Sequence, residues 1–378
     1  MDTLKKAAGA PRVRRNDPNA VGTTSVAPFF SIIMPSYGVE RYIEAALDDI
    51  QAQAFADWEL IVVDDGSPDN AARLVRERMA SDGRIRLVQH DANRGLSAAR
   101  NTGLSHARGA YVWIPDPDDR YDRTLLARVH AVLTDTAADA VVFGCTEEYF
   151  DAKGNLTGSR SIVPPVSGVA SGDVLHRSVL DLEEATLYGY AWNKVYRRSE
   201  LSGLAFETVP LIEDILFNIA FFQNASVCAF LDDAPYRYAK RLNANLTNKF
   251  VPEYYQVHRR RIEALFNQQR AWGLDNQEVR SRLGSLYGRF IMSALERNCD
   301  SRAHLDHAGR IAWCRSLFAD PLFLTLIPGA TSRGGKVLSL GLAILKTRSA
   351  LACCTLGRLI HLVRGSGSRM YARLKMQR

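Results

Sequence analysis

Between residues 29 and 122, four short apolar runs alternate with three stretches of helical periodicity, and this alternation constrains the fold more than any other feature of the chain. Residues 29–34, closed by Pro35, read as a buried strand. From Glu40 the apolar residues Ile43, Leu47, Ile50 and Ala54 recur at spacings of four, three and four, which predicts an amphipathic helix. Further strands are predicted at 59–63, 84–88 and 110–114, with helices at 70–81 and 96–106. The apolar runs are continuous, so each strand is covered on both faces. The expected class is α/β: a mostly parallel sheet flanked by helices, receiving ligands at the carboxyl ends of its strands.

Those ends carry Pro35-Ser36-Tyr37, Asp64-Asp65-Gly66-Ser67 and Asp116-Pro117-Asp118-Asp119. One Asp-x-Asp is a common turn or helix-cap sequence. Two acidic clusters on one sheet edge demand more, because like charges repel unless a cation or donor groups fill the gap. Oxygen ligands on a short loop suit a hard divalent ion, Mg²⁺ or Mn²⁺, that shares phosphate oxygens with a substrate. No G-x-x-x-x-G-K-[ST] loop and no G-x-G-x-x-G fingerprint follows the first strand, so the P-loop and Rossmann readings lack their residues. Two rivals remain. A sugar-nucleotidyltransferase would want a Gly-rich basic loop after the first strand, which is missing. A non-catalytic sugar- or nucleotide-binding module leaves the two aspartate clusters and the Glu213-Asp214 pair unexplained.

The stretches SIIMPSYGVERYI (31–43), WELIVVDDGSPDN (58–70), NRGLSAARNTGL (93–104) and GAYVWIPDPDDRY (109–121) resemble family 2 inverting glycosyltransferases of the GT-A fold, of the polysaccharide-biosynthesis type. Weaker matches follow at WNKVYRRSEL (192–201) and LIEDILF (211–217), so the resemblance covers residues 29–240. Gly38 stands where the family often has Asn, and Pro117 replaces a small residue between the metal-site aspartates. The resemblance implies that Pro35, Tyr37, Glu40, Asp64 and Asp65 line the nucleobase and ribose pocket, Tyr37 by stacking and Asp65 by accepting a base N–H. It implies that Arg100 and the 93–97 loop border the nucleotide, that Asp116 lies near ribose or metal, and that Asp118 binds the metal. Asp214, paired with Glu213, is implied as the general base. Trp192, with Tyr188 and Tyr190, reads either as a platform for an acceptor sugar or as core packing. The expected reaction moves a sugar from a nucleotide-diphosphate donor, a UDP-sugar, to a hydroxyl of a glycan or lipid-linked acceptor in cell-surface polysaccharide synthesis.

Past residue 250 helices are predicted at 254–272 and 278–298, as an extension packed on a catalytic domain of residues 29–250. That domain divides into a nucleotide-sugar half, 29–145, and an acceptor half, 146–250. The charge is uneven. Of 48 basic and 41 acidic residues, ten basic and no acidic ones lie between Pro321 and Arg378, so the preceding 320 residues carry −3. Within this basic segment, residues 337–345 and 350–363 are apolar but short for a bilayer span. Residues 333–378 are expected to form an interfacial amphipathic hairpin on an anionic membrane, inserting Leu338, Leu342, Leu345, Leu359 and Leu362. The alternative is a final pair of packing helices. Nucleic acid is not expected as a partner, because the leucines have no role there. Residues 1–28, with Lys5, Lys6, Arg12, Arg14 and Arg15, read as a flexible basic arm. Residues 1–20 contain no apolar run, and the six cysteines form no C-x-x-C pair, so neither a signal peptide nor a disulfide framework is expected. The setting anticipated is the cytoplasm, peripheral at the inner face of the cell membrane.

Overall fold

The computed structural model describes residues 27–241 and 250–366; most of the basic arm and the last twelve residues lie outside the described residues. Strand β1 (Phe30–Ser36), helix α1 (Glu40–Gln51), β2 (Trp58–Asp64), α2 (Ala71–Ser81), β3 (Ile85–Gln89), α3 (Leu96–His106) and β4 (Tyr111–Trp113) follow in the expected alternation. Every residue of β1 and β2 is buried, and each large aliphatic side chain so buried stabilises the fold by about 1.5–3 kcal/mol. Two boundaries differ from expectation. Helix α1 stops at Gln51, and the Ala54 N–H bonds the Arg123 carbonyl instead of continuing the helix. β1 runs through Pro35 to Ser36. Its pairing with β4 ends at Ile32, while Asp65 N–H reaches Ser36 O on the β2 side. The N–H that Pro35 lacks would therefore face a side where the ladder has already ended.

The second half adds β5 (Arg120–Tyr121), α4 (Leu125–Thr136), β6 (Ala140–Val142), β7 (Cys145–Phe150), β8 (Leu156–Ile162), β9 (Gly168–Ser171), α5 (Gly172–Glu184), β10 (Lys194–Arg197), α6 (Glu213–Asn224), β11 (Val227–Phe230) and β12 (Tyr236–Arg241). The main sheet has the order β3-β2-β1-β4-β10-β6-β11-β9. Its first four strands are parallel, so the carboxyl ends of β1, β2 and β4 share one edge. β10 then enters antiparallel to both β4 and β6, and β9 is antiparallel to β11. The sheet is thus mixed. A second sheet, β5-β12-β7-β8, holds β12 beside β5, just past the Asp116–Asp119 loop.

Helices α7 (Tyr254–Ala271), α8 (Gln277–Arg297), α9 (His307–Ala319), α10 (Pro321–Leu326), α11 (Gly335–Lys346) and α12 (Ala350–Ser366) form the extension. Three of the leucines expected to enter a membrane do not face outward. Leu338, Leu342 and Leu345 are buried, and α11 settles on α8 where Gly288 leaves room for Leu342. α12 packs equally close: a Cβ on Gly357 would stand 2.6 Å from the Leu295 carbonyl oxygen. The opposite faces expose Val337, Leu340, Leu351, Leu359, Leu362 and Val363. Among the described residues no helix is long and apolar enough to cross a membrane.

Candidate active site

The shared edge of β1, β2 and β4 is organised by hydrogen bonds between its loops. Gly38 N–H bonds Ser67 Oγ at 2.9 Å, and Ser67 Oγ donates to Asp69 at 2.6 Å. Asp69 accepts from the first N–H of α1, at Glu40, while Glu40 accepts from Asn70 at the head of α2. Each helix start is thus capped by a carboxylate from the other segment. Gly38 has φ +67°, a conformation that glycine and asparagine both tolerate, so the departure from the family residue preserves the turn. Gly66 has φ +65°, and a Cβ there would meet the backbone of Ala92 at 2.6 Å.

The pocket residues named from the sequence divide into open and closed ones. Tyr37 is 49% exposed and its ring is available for stacking. Pro35 is buried in β1. Asp64 is buried and accepts from Gln89 Nε2 at 2.9 Å. Asp65 is also buried, with His90 Nδ1 at 2.6 Å, Arg94 N–H at 2.9 Å and Gly95 N–H at 2.7 Å. Its carboxylate therefore fixes the 93–95 loop at the head of α3.

Arg100 departs from the expected place at the nucleotide border. It is only 1% exposed, and its guanidinium lies among three carboxylates. Nη1 bonds Asp214 Oδ1 and lies 3.7 Å from Glu213, and Nη2 reaches Asp116 at 3.3 Å. Burial would pull its pKa down, but the three charges outweigh this and raise it. α3 is fastened to the segment before α6 by Asn101, whose side chain bonds both backbone groups of Phe206 at 2.8 Å. Ser97 Oγ adds a bond to Glu207 O. Glu213 and Asp214 open α6, where carboxylates favour the helix dipole. The second oxygen of Asp214 accepts from Ala191 N–H at 3.1 Å.

The 187–191 segment that presents Ala191 is caged. Lys194 Nζ donates to the carbonyls of Leu187 (2.8 Å), Tyr188 (3.1 Å) and Tyr190 (2.6 Å) and to Asn193 Oδ1 (2.8 Å). Asn218 Nδ2 donates to the Tyr188 and Tyr190 carbonyls as well. Both segments meeting at Asp214 begin on a left-handed residue, Thr186 at φ +63° and Leu211 at φ +68°. Such strain is kept where surrounding contacts over-determine it. Trp192 takes the core-packing alternative and not that of an open platform. It is 1% exposed, stacked between Tyr190 at 4.7 Å and Tyr236 at 4.3 Å. Tyr188 is buried too and bonds Gln268. The aromatic surface left part-open belongs to Tyr190 and Tyr238.

In the acidic loop, Asp119 is buried and accepts from Tyr236 OH at 2.7 Å and Ala239 N–H at 2.8 Å, so it anchors the loop to β12. Asp118 is part-exposed, and Arg241 at the end of β12 pairs with it at 3.0 Å. Burial raises the Asp116 carboxyl to about 7, against the pull of Arg100 and with help from the charges of Asp118 and Asp214. Burial raises Glu213 to about 7 as well, reinforced by Asp214. Asp118 and Asp119 are likewise raised, each first by burial. This concentration of crowded carboxylates fits a divalent cation. Among the described residues no group of three or more acidic, His or Cys side chains forms a complete metal cage. Asp118 and Asp116 offer oxygen donors of the kind such an ion takes alongside water and phosphate oxygens.

Lys194, Ala191, Asn218, Tyr236 and Arg241 are among the site residues that sequence reasoning did not single out. Lys194 lay inside the quoted 192–201 stretch, whereas Arg241 lies one residue past the matched region and carried no signal.

Residues 31–191 match the family model for glycosyl transferase family 2. EpsJ of Bacillus subtilis (strain 168), described as an uncharacterized glycosyltransferase, is 33% identical over 223 residues, which are 57% of this chain and 62% of that protein. WfgD of Escherichia coli, a UDP-Glc:alpha-D-GlcNAc-diphosphoundecaprenol beta-1,3-glucosyltransferase, is 44% identical over 89 residues, 24% of this chain and 34% of WfgD. The chain thus spans less than two thirds of either relative's length. Staphylococcus aureus TarS 1–349, solved with UDP-GlcNAc, superposes with a TM-score of 0.61 at 20% identity, over 89% of this chain and 92% of that one. At that identity the likeness is one of fold, and it includes the helical region as well as the sheet. Residues 31–191 are thus similar to glycosyl transferase family 2, and that similarity spans less than half of the chain.

Proposed function

We propose that the protein is a metal-dependent inverting glycosyltransferase that uses a nucleotide-diphosphate sugar, a UDP-sugar, and a hydroxyl of a glycan or lipid-linked acceptor in cell-surface polysaccharide synthesis. The observation that carries this reading is Asp214. Both its oxygens are held, by Arg100 and by Ala191 N–H, and Arg100 ties it to Asp116 of the acidic loop. A carboxylate held this way keeps free lone pairs to accept one proton in a fixed direction. The acceptor O–H gives its proton to Asp214 as its oxygen bonds the anomeric carbon, and the bond from that carbon to the phosphate oxygen breaks with its electrons. Attack opposite the leaving group inverts the centre. Asp118 and Asp116 would hold a divalent ion, which when bound would supply Lewis-acid neutralisation of the diphosphate charge. Tyr37 offers its open face to the base, and Asp65 shapes the neighbouring loop. The UDP-GlcNAc bound to TarS and the UDP-Glc and diphosphoundecaprenol in WfgD's name support the donor and acceptor classes. A thermal-shift screen of UDP-, GDP- and dTDP-sugars with Mn²⁺ tests it. Stabilisation by a UDP-sugar that vanishes without Mn²⁺ is expected, and no stabilisation by any of them contradicts the reading.

Peripheral membrane association belongs to the same proposal, with the face revised. Of the large hydrophobics exposed among the described residues, half lie on α11 and α12, beside Lys336, Arg348 and Arg358. Anionic lipid attracts each such cation by about 1 kcal/mol. Because α11 and α12 cover α8, truncation at residue 332 would damage the fold, so L359S/L362S is the better probe. Its pelleting with anionic liposomes should fall while its melting temperature holds. Unchanged pelleting removes the membrane claim alone.

A further inference from the structure

Arg241 has no part in the reaction just described, yet it sits on the acidic loop assigned to the divalent ion. It ends β12, and its guanidinium is held as a fork: Nη1 donates to Asp118 Oδ2 at 3.0 Å, and Nη2 to the Asp118 carbonyl at 2.7 Å. The group lies over the Tyr42 ring of α1 at 4.3 Å and near the Phe150 ring of β7 at 5.6 Å. Three elements therefore place one permanent positive charge on the carboxylate that the metal reading assigns to the divalent ion. Arginine does not release this charge near neutral pH.

We infer that Arg241 is an internal cation that holds the metal seat on Asp118 until a nucleotide diphosphate arrives, so that the ion binds as its nucleotide complex and poorly alone. The inference rests on the assignment of Asp118 as a metal ligand. A divalent ion bound to Asp118 would lie at roughly 2.1 Å from its oxygen, with the guanidinium nitrogen 3.0 Å from Asp118 Oδ2. Two cations that close repel strongly, and the loop's other carboxylates relieve this only in part. Asp116 is engaged by Arg100, and Asp119 is closed off by Tyr236 and Ala239. A bare ion must displace the fork from Asp118 and from its aromatic seat. A diphosphate brings enough negative charge for both cations to stay. The device favours the nucleotide-loaded metal over free metal and needs no moving domain.

The test uses the full chain freed of metal, with Mn²⁺ as probe and free Mn²⁺ read by electron paramagnetic resonance. Without nucleotide, R241Q should bind Mn²⁺ at least about tenfold more tightly than wild type, the low-end effect of removing a unit charge beside a divalent ion. With saturating UDP the difference should shrink to within about threefold, because the diphosphate screens the repulsion. Y42L, which removes the ring under the guanidinium without altering β12, should move bare-metal affinity in the same direction and gives an independent readout if R241Q folds poorly. Equal bare-Mn²⁺ affinity in wild type, R241Q and Y42L overturns the inference. D118N separates the two readings. If it keeps UDP-dependent Mn²⁺ binding, the metal assignment fails. If it loses that binding while R241Q matches wild type, the metal assignment stands and the role of Arg241 fails.

Discussion

Replacing Arg100 with methionine keeps the side chain's length but removes the cation shared by Asp214, Asp116 and Glu213, all within 3.7 Å of it. Breaking a buried ion pair by deleting one partner costs about 3–5 kcal/mol, because the remaining charge is left uncompensated. Here the acids have a partial escape, since they can take up protons. Asp116 and Glu213 already sit at about 7, raised by burial against the attraction of Arg100. Without that attraction both rise further. The sign follows from linkage: a carboxyl raised in the folded state favours folding below its unfolded pKa of about 4 and loses that contribution as pH climbs through the folded value. R100M should therefore lose about 3 kcal/mol at pH 6, where the acids are protonated, and about 5 kcal/mol at pH 8, where they repel. Urea unfolding of both proteins in EDTA at the two pH values measures this. A loss below about 1 kcal/mol, the range of an ordinary surface substitution, refutes the reasoning. So does a loss that fails to grow between pH 6 and pH 8.

D118N should abolish Mn²⁺-dependent UDP binding in calorimetry, because it removes a charged oxygen ligand from the acidic loop; unchanged affinity would sink the metal assignment. K194M removes one of two donors from the Leu187, Tyr188 and Tyr190 carbonyls and the Lys194 donor from Asn193 Oδ1, and should destabilise by about 1–3 kcal/mol. It should also lower turnover with UDP affinity intact, since the Ala191 N–H loses its support; weakened UDP binding would contradict that division of labour. G357A should destabilise by about 1–3 kcal/mol through overpacking against the Leu295 carbonyl, although helix propensity alone predicts a gain of about 1 kcal/mol. A higher melting temperature would mean that α12 does not press on α8 as closely as described.

The half of the fold legible in the sequence is the half built from local pattern. β1 through β4 and their helices have runs and periods long enough to identify, and α3 spans the residues its sequence predicted. β6 has three residues and β9 four, too few for any period to register. β8, LTGSRSI, is largely exposed and polar, and takes its strand form from pairing with β7. The antiparallel entry of β10 into a parallel sheet is likewise a tertiary event. At the site, residue types and order indicated where carboxylates gather, but not which groups face them. The family resemblance implies a place beside the nucleotide for Arg100, and the close docking of α3 against the segment before α6 turns it to three acids. Trp192 reads as a platform candidate because aromatic rings cluster around it in sequence, but Tyr236 and Tyr238, distant in sequence, join Tyr190 in packing on it. The outward stripe on α12 shows the same limit: both faces of the helix are apolar, and packing on α8 decides which is covered.

Central to this account is Asp214 as the proton acceptor in transfer from a nucleotide-sugar. The most direct test is donor turnover by D214N with Mn²⁺ and the UDP-sugar selected by the thermal-shift screen, measured together with donor affinity. Asparagine is nearly isosteric but cannot take the proton. The account predicts unchanged donor affinity with kcat reduced about 10²- to 10⁴-fold, the usual contribution of a general base. Turnover within about tenfold of wild type, below that contribution, would contradict it and move the role of base to Glu213 or another group.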